Sequence, residues 1–551
     1  MGKMQRRGAS AVVMLVVLAL GAAGAGCAKS ESGGTGTGGA ATAKKPITGG
    51  KLVVATAAEV DGFLPTFNRW GASSMMVART IFDPLAALDD QGVAKPYLAE
   101  SFTPNADFTE WVIKLRSGIT FHDGTPLDAD ALKLHLTKLK ESVVTGPPFK
   151  PVKSIATVDG LSVRVTLSAP WAQLPLVFVS QTGFVAAPAQ LNANDSVKPI
   201  GTGPFAFKEW KQNESYVGVK NTSYWRKDRD GVALPYLDEV KFVPTTDPQK
   251  RTDGVRNGDF NVIQTESPDE VMDYAQQAKD GGTKDVKEII DNGEGSEATV
   301  VFNNQTGLFS DRDLRLAAAK AVDKKKMVDS LFKGYFEIAE GPFTSKSVWG
   351  GPDQPVTYDA AGARSLVDAY KAAHGGQKPA VTIIVGVATD QNALGQYIQQ
   401  AWNDVGFEAK VETADEKVIT AKVVSGGYEA ILYTFWDRPD PDAMAHYWSG
   451  ENTSPPEVLG LNFARFKSST VDDALAKGRA TTDQKTRVEQ YKRIWNDFAE
   501  NQYILWLFHS QWAIAYGTRV QDIGNFTLPD GSKAIPVQWG NLFLTGVWLE
   551  R

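Results

Sequence analysis

The chain has 551 residues and one cysteine, Cys27, so no disulfide can form within it. Histidine is nearly as scarce. His122, His135, His374, His446 and His509 are scattered, with no His-x-x-x-His spacing and no second thiol, so no zinc-ligand pattern is present. The nucleophile elbow Gly-x-Ser-x-Gly is missing, as is the phosphate-cradling Gly-x-x-x-x-Gly-Lys-Ser/Thr loop. No carboxylate pair stands out among the 64 Asp and Glu. Excess positive charge is lacking too. A formal charge of −6 with the signs interspersed excludes the basic surface that nucleic-acid binding requires. Beyond the first turns of the chain there is no second long apolar run, so no later membrane span is expected.

What is present begins with an export signal. Lys3, Arg6 and Arg7 precede the apolar run ASAVVMLVVLALGAAGAG, and small residues lead up to Cys27. A lone cysteine in that position resembles a bacterial lipobox, in which the thiol is acylated and the Cys becomes the mature N-terminus. Gly24 stands where such boxes prefer Leu. The alternative is an ordinary signal cleaved nearby. Residues 1–27 are read as the signal with its lipidation site, and 28–50 as a Gly/Ser/Thr tether with too few bulky apolar groups to order itself. The expected location is the outer face of the cytoplasmic membrane, held by lipid, or the periplasm.

The remaining five hundred or so residues are too many for one core, so two or three domains are expected. The pattern is mixed α and β. WVIKLR and SVRVTL alternate like half-covered strands, while KLVVAT, TIIVGV and EAILYTF are continuously apolar and suit strands covered on both faces. DADALKLHLTKLKES carries apolar residues near a 3.6 period. SDRDLRLAAAKAVDKKKMVDSLFKG is read as one helix from a Ser310 cap to a Gly334 stop. GQYIQQAWNDVGF and KTRVEQYKRIWNDFAENQYILWLF are helix-like, the second turning apolar toward its end.

LRSGITFHDGTPLDADALKLHL puts a His-Asp pair beside a Gly-Thr-Pro turn, which invites a metal or catalytic reading. Each residue also has a structural task. His122-Asp123-Gly124 makes a tight turn, Pro126 fixes the approach, and Asp128 caps the helix starting at Ala129. The scaffold reading is preferred, and no catalytic residue, metal or cofactor is assigned.

The same stretch resembles the signature of the family 5 extracellular solute-binding proteins, the oligopeptide, dipeptide and nickel receptors of ABC importers. IFDPLAALDDQGVAKPYLAESFTPNADFTEWVIKLR upstream looks like the family's opening. PIGTGPFAFKEW, NTSYWRKDRDGVALPYLDEVKF and FNNQTGLFSDRDLRLAAAKAVDKKKMV are similar to further family blocks, in the family's order. The resemblance covers nearly the whole exported chain. It implies an α/β, periplasmic-binding-protein-like fold of two lobes (type II, cluster C-like), with an extra domain inserted in lobe one. Lobe one would comprise 51–82, 199–298 and 520–551, the extra domain 83–198, and lobe two 299–519. The implied function is capture of a small solute, a peptide by first preference, followed by delivery to ABC permease subunits. The chain is expected to act as a monomer, without nucleic acid.

The resemblance also directs attention to Trp436-Asp437-Arg438-Pro439-Asp440-Pro441. In the family's peptide receptors, Ala-Asp-Tyr-Pro-Asp-Pro follows a strand end, and its first Asp binds the peptide's α-ammonium group. That places Asp437 at the anchor, where a carboxylate in a closed cleft makes a charge-assisted bond to any peptide N-terminus. Arg438 replaces the frequent Tyr and is able to pair with Asp437 and compete. The alternative for Asp437 is a turn carboxylate in a Pro-rich loop. Trp436 is read as ligand packing or core, and Asn303 and Asn304 as amides for a ligand backbone or as a turn. Arg69 and Trp70 stand where lobe one first faces the cleft. His446, Tyr447 and Trp448 are read as packing. Two other readings stay open: an oligosaccharide or other non-peptide solute in the same fold, and an exported hydrolase, which would need an activated nucleophile.

Overall fold

The computed structural model describes residues 45–281, 285–291, 296–436, 440–455 and 457–551. Cys27 and Asp437, Arg438 and Pro439 lie outside them, as does the side chain of Trp436. Three sheets organise the chain. The first has seven strands, in the spatial order 286–290, 513–517, 262–265, 51–56, 239–244, 215–220, 205–211. The second has five, in the order 408–414, 380–386, 430–436, 296–302, 504–509. The third is a four-stranded antiparallel sheet, 99–104, 110–115, 162–167, 152–159, covered by the helix Ala129–Glu141. Among the described residues no helix is long and apolar enough to cross a membrane.

The apolar strands behave as their composition requires. In the first sheet Leu52, Val54, Phe242 and Ile514 enter one core, while Ala55, Ile263 and Ala515 enter another on the opposite face. In the second sheet Val300, Ile383 and Leu432 point to one side and Val301, Ile384 and Ile431 to the other. A strand buried on both faces has no polar alternation to show.

Two long segments break where a polar residue intervenes. The stretch read as one helix from Ser310 is two, Arg312–Ala321 and Lys324–Phe332. Asp323 accepts from the Lys326 N–H and caps the second, so the chain turns between them. Asp311, not Ser310, caps the first. The stretch KTRVEQYKRIWNDFAENQYILWLF also divides. Its helix, Gln484–Asn501, ends at left-handed Gln502, and the apolar tail is the separate strand Ile504–His509.

Sheet membership moves both lobe boundaries. Ser296–Phe302 belongs wholly to the second sheet. Ala513–Gly517 pairs with two strands of the first, Val262–Thr265 and Val286–Ile290, although the sequence division put it in lobe two. An apolar strand reads alike in either sheet, so only its pairing reveals its lobe. The chain therefore passes between lobes at 291–296 and 509–513.

The third sheet is welded to lobe one. Phe526, Leu528, Ala534 and Phe543, from the C-terminal segment, share its core. His122 Nε2 meets the Gly203 carbonyl at 3.0 Å and its Nδ1 accepts from the Gly201 N–H, so the His-Asp stretch is scaffold. A Cβ on Gly201 or Gly203 would strike the Ile81 backbone at 2.1 or 2.5 Å, which accounts for the Gly-Thr-Gly spelling. At the same seam the buried Asp83 carboxylate accepts from the Thr202 and Tyr224 hydroxyls and the Trp225 indole. Burial nevertheless pushes Asp83 up to about 6, against those donors and the Arg226 guanidinium.

This carboxyl holds its proton more tightly folded than unfolded. The stability it contributes is full below the unfolded value of about 4 and is lost as pH rises to about 6. Urea melts across that window are expected to show the decline in the native chain and a flatter profile in Asp83→Asn. Identical slopes would contradict this account of the seam.

Candidate functional site

Strand direction locates the cleft. Strands 51–56, 239–244 and 262–265 are parallel, and 286–290 runs with them because both it and 262–265 are antiparallel to 513–517. In the second sheet 380–386 and 430–436 are parallel, whereas 296–302 and 504–509 form an antiparallel pair beside them. Strand 296–302 therefore begins where 430–436 ends. The two crossings join the C-terminal edge of one sheet to the C-terminal edge of the other, the edges at which ligand sites of open α/β sheets form. The crossings are stitched together. The Ser510 N–H donates to the Ser296 carbonyl at 2.8 Å, and the Asp291 N–H donates to the Trp512 carbonyl at 3.0 Å. Gln511 Nε2 adds a bond to the Asp291 carbonyl at 3.1 Å.

On the lobe-one edge the polar groups are tied to one another. Ser73 Oγ accepts from the Ala58 N–H and donates to Gln264 Oε1 at 2.8 Å. Gln264 Nε2 reaches the Gly540 carbonyl, and both Gln264 and Thr265 are fully buried. Arg69 and Trp70 lie in the loop leaving strand 51–56 at this edge. The Arg69 N–H bonds the Asp61 carboxylate at 3.0 Å, and its side chain is exposed. Trp70 donates from its indole to the Gly62 carbonyl at 2.9 Å and stacks 6.0 Å from Phe82, leaving it half-buried.

On the lobe-two edge Trp436 pairs with Ser296 in the last rung of the ladder, and 437–439 follow directly. Glu297 and His509 face each other across neighbouring strands, Oε1 to Nδ1 at 3.5 Å, and both are buried. Burial drives His509 down to about 4, opposed by Glu337 and reinforced by Lys324, so the imidazole is neutral at neutral pH. Nothing local in the sequence marks this pair, because its members come from opposite ends of lobe two. Ser73 and Gln264 were missed for the same reason.

Asn303 and Asn304 are a correction. They follow the far end of strand 296–302, away from the cleft edge, so they do not meet a ligand held there. Asn303 Nδ2 donates to the Gly426 and Tyr428 carbonyls, and Asn304 Nδ2 to those of Ala464 and Tyr503. They fix loops, as a turn reading requires. Trp448 is packing, edge-on to Trp495 at 5.2 Å.

The loop that resumes at Asp440 is held by two cations. Arg487 grips Asp440 with two bonds of 2.6 and 2.7 Å, both partners buried, and lies 4.8 Å over the Trp349 ring. Arg479 Nε bonds Asp442 Oδ1 at 2.6 Å. Bidentate contact with a carboxylate keeps Arg487 charged, its pKa raised despite burial. Among the described residues no three His, Cys, Asp or Glu gather as metal ligands would. Arg487→Met leaves Asp440 buried without its partner and is expected to cost about 3–5 kcal/mol by chemical denaturation. A loss below about 1 kcal/mol would mean the loop is held by other contacts.

Residues 93–463 match the family model for bacterial extracellular solute-binding proteins, family 5. The glutathione-binding protein GsiB of Escherichia coli strain 536 is 26% identical over 433 residues, covering 76% of this chain and 81% of that protein. The oligopeptide-binding protein AppA of Bacillus subtilis, solved with a nonapeptide, superposes with a TM-score of 0.77 at 22% identity, over 92% of this chain and 100% of AppA. AgaA of A. tumefaciens R10, solved with agropinic acid, gives 0.77 at 21% identity, over 91% of this chain and 99% of AgaA. The chain belongs to the family 5 bacterial extracellular solute-binding proteins, the substrate-binding components of ABC importers.

Proposed function

We propose that this chain captures short peptides with a free α-ammonium group between its lobes and hands them unchanged to an ABC permease. The observation that carries the reading is the meeting of two strand-end edges across two stitched crossings. A ligand touching both edges gains its full set of contacts only in the closed state, so it shifts the population toward closure. Peptide-type ligands are favoured by the likeness to GsiB and AppA, whose names specify glutathione and oligopeptides. Asp437, one residue beyond the last rung at Trp436, is the proposed anchor for the ammonium. Trp436, Arg438, Arg69 and Trp70 are proposed to shape the space around it. The likeness to AgaA, solved with agropinic acid, supports a second reading in which the solute is not a peptide. No bond is broken in either reading. Acylation of Cys27 would keep the receptor beside its permease, with the chain acting as a monomer.

Thermal and chemical denaturation with a panel of free and N-acetylated peptides tests the reading. Ligand at about a hundred times its dissociation constant is expected to add about 2.7 kcal/mol. The gain should require a free N-terminus and vanish in Asp437→Ala. Stabilisation by acetylated peptides or by non-peptide acids alone would overturn the peptide assignment. For the anchor, bacterial expression is expected to give a membrane-fractionated chain that Cys27→Ala releases into the soluble fraction. Equal partition of the two would contradict lipidation.

A further inference from the structure

The extra domain touches its two neighbours in different ways. Toward lobe one its core is continuous and apolar, with Phe526 and Phe543 packed among its own residues. Toward lobe two its contacts are polar. The Trp171 indole N–H donates to Asp442 Oδ2 at 2.6 Å, and the Arg479 guanidinium, bonded to Asp442 Oδ1, lies 4.5 Å over the Trp171 ring. The Ala172 N–H donates to the Arg479 carbonyl at 2.8 Å. Gln173 Nε2 donates to the Thr481 carbonyl at 2.9 Å, and Lys150 Nζ to Asn452 Oδ1 at 2.6 Å. An apolar seam is permanent because parting it exposes greasy surface. A polar seam can part and rehydrate at little cost.

We propose that Trp171, Gln173 and Lys150, with Asp442, Arg479 and Asn452 opposite them, form a latch that holds the lobes together and sets ligand affinity without touching ligand. The inference rests on the hinge-closing reading, though not on the ligand being a peptide. The crossings at 291–296 and 509–513 are the pivot, and the latch spans the gap by a route that avoids them. Because the extra domain is fixed to lobe one, opening the pivot must draw Trp171 away from Asp442. Asp442 also lies in the short 3-10 helix Pro441–Met444, capped by Asp440 with its clamp Arg487, and is five residues from Asp437 in sequence. A ligand at the proposed Asp437 anchor and Trp171 at Asp442 would thus act within six consecutive residues of the sequence. The indole donor, the carboxylate and the guanidinium are mutually dependent: Asp442 orients Arg479, and both present a charged face to Trp171.

The test uses the full exported chain and the double variant Lys150→Met/Gln173→Met, with Trp171→Phe as an independent one. Lys150 is exposed and Gln173 half-buried, so the double variant is expected to fold with an unchanged melting profile. Trp171→Phe keeps a six-membered aromatic ring beside Arg479 but removes the indole donor and part of a side chain buried in the extra-domain core, so its melting profile is measured alongside. Small-angle scattering of the ligand-free chain is expected to show a larger radius of gyration in both variants. For any bound solute, release is expected to quicken about tenfold, equivalent to about 1.4 kcal/mol, with association unchanged. Unchanged dimensions together with unchanged release in both variants would overturn the latch. Opened dimensions in a chain that binds no peptide would support the latch while removing the peptide reading.

Discussion

The chain passes twice between its two large sheets, after Asp291 and after His509, and these connections constrain everything else. They join two sheets at the edges where their parallel strands end, so the loops leaving those strands must confront one another. Asp291 with Trp512, and Ser296 with Ser510, tie the passages into a pair by backbone bonds. These bonds hold the two sheets in register, and under the proposed function the paired connections serve as the pivot for closure. The polar groups at the two edges, Ser73 and Gln264 on one side and Glu297 and His509 on the other, inherit their positions from that pairing.

Seams of different chemistry divide the labour of the fold. The extra domain and lobe one share apolar side chains and the buried cluster around Asp83, which join them through a continuous core. The extra domain and lobe two meet through hydrogen bonds and the Arg479 guanidinium lying over the Trp171 ring, contacts that can be made and broken. Within lobe two, Arg487 and Arg479 pin the Asp440–Asp442 segment to helices 484–501 and 469–479. The residues just downstream of the proposed Asp437 anchor are thereby tied to two helices, an arrangement that would favour a preorganised site over one ordered by ligand.

Much of this was readable in the sequence wherever the signal was local. KLVVAT and SVRVTL are strands over the spans their patterns indicate, and Asp128 caps its helix through the Ala131 N–H. The His-Asp pair of the 115–136 stretch resolved to scaffold because His122 meets Gly201 and Gly203. The failures share a cause. Asn303 and Asn304 were placed at a strand end without knowing which end faces the cleft, and strand direction is a property of pairing. Ser296 and Ser510 are 214 residues apart yet bonded, and no window along the chain brings them together. Asp323 broke a helix that its apolar period supports, since a capping side chain competes locally with helix continuation.

The most direct test of the account is a distance measured across the cleft. Labels at Val232 and Val418, exposed positions in lobe one and lobe two, would report rotation about the pivot in a Cys27→Ala background. With a solute shown by calorimetry to bind, the account expects the separation to shorten on saturation and to recover on removal. A separation that stays fixed while calorimetry registers binding would contradict it, because the two sheets would then form a single rigid body.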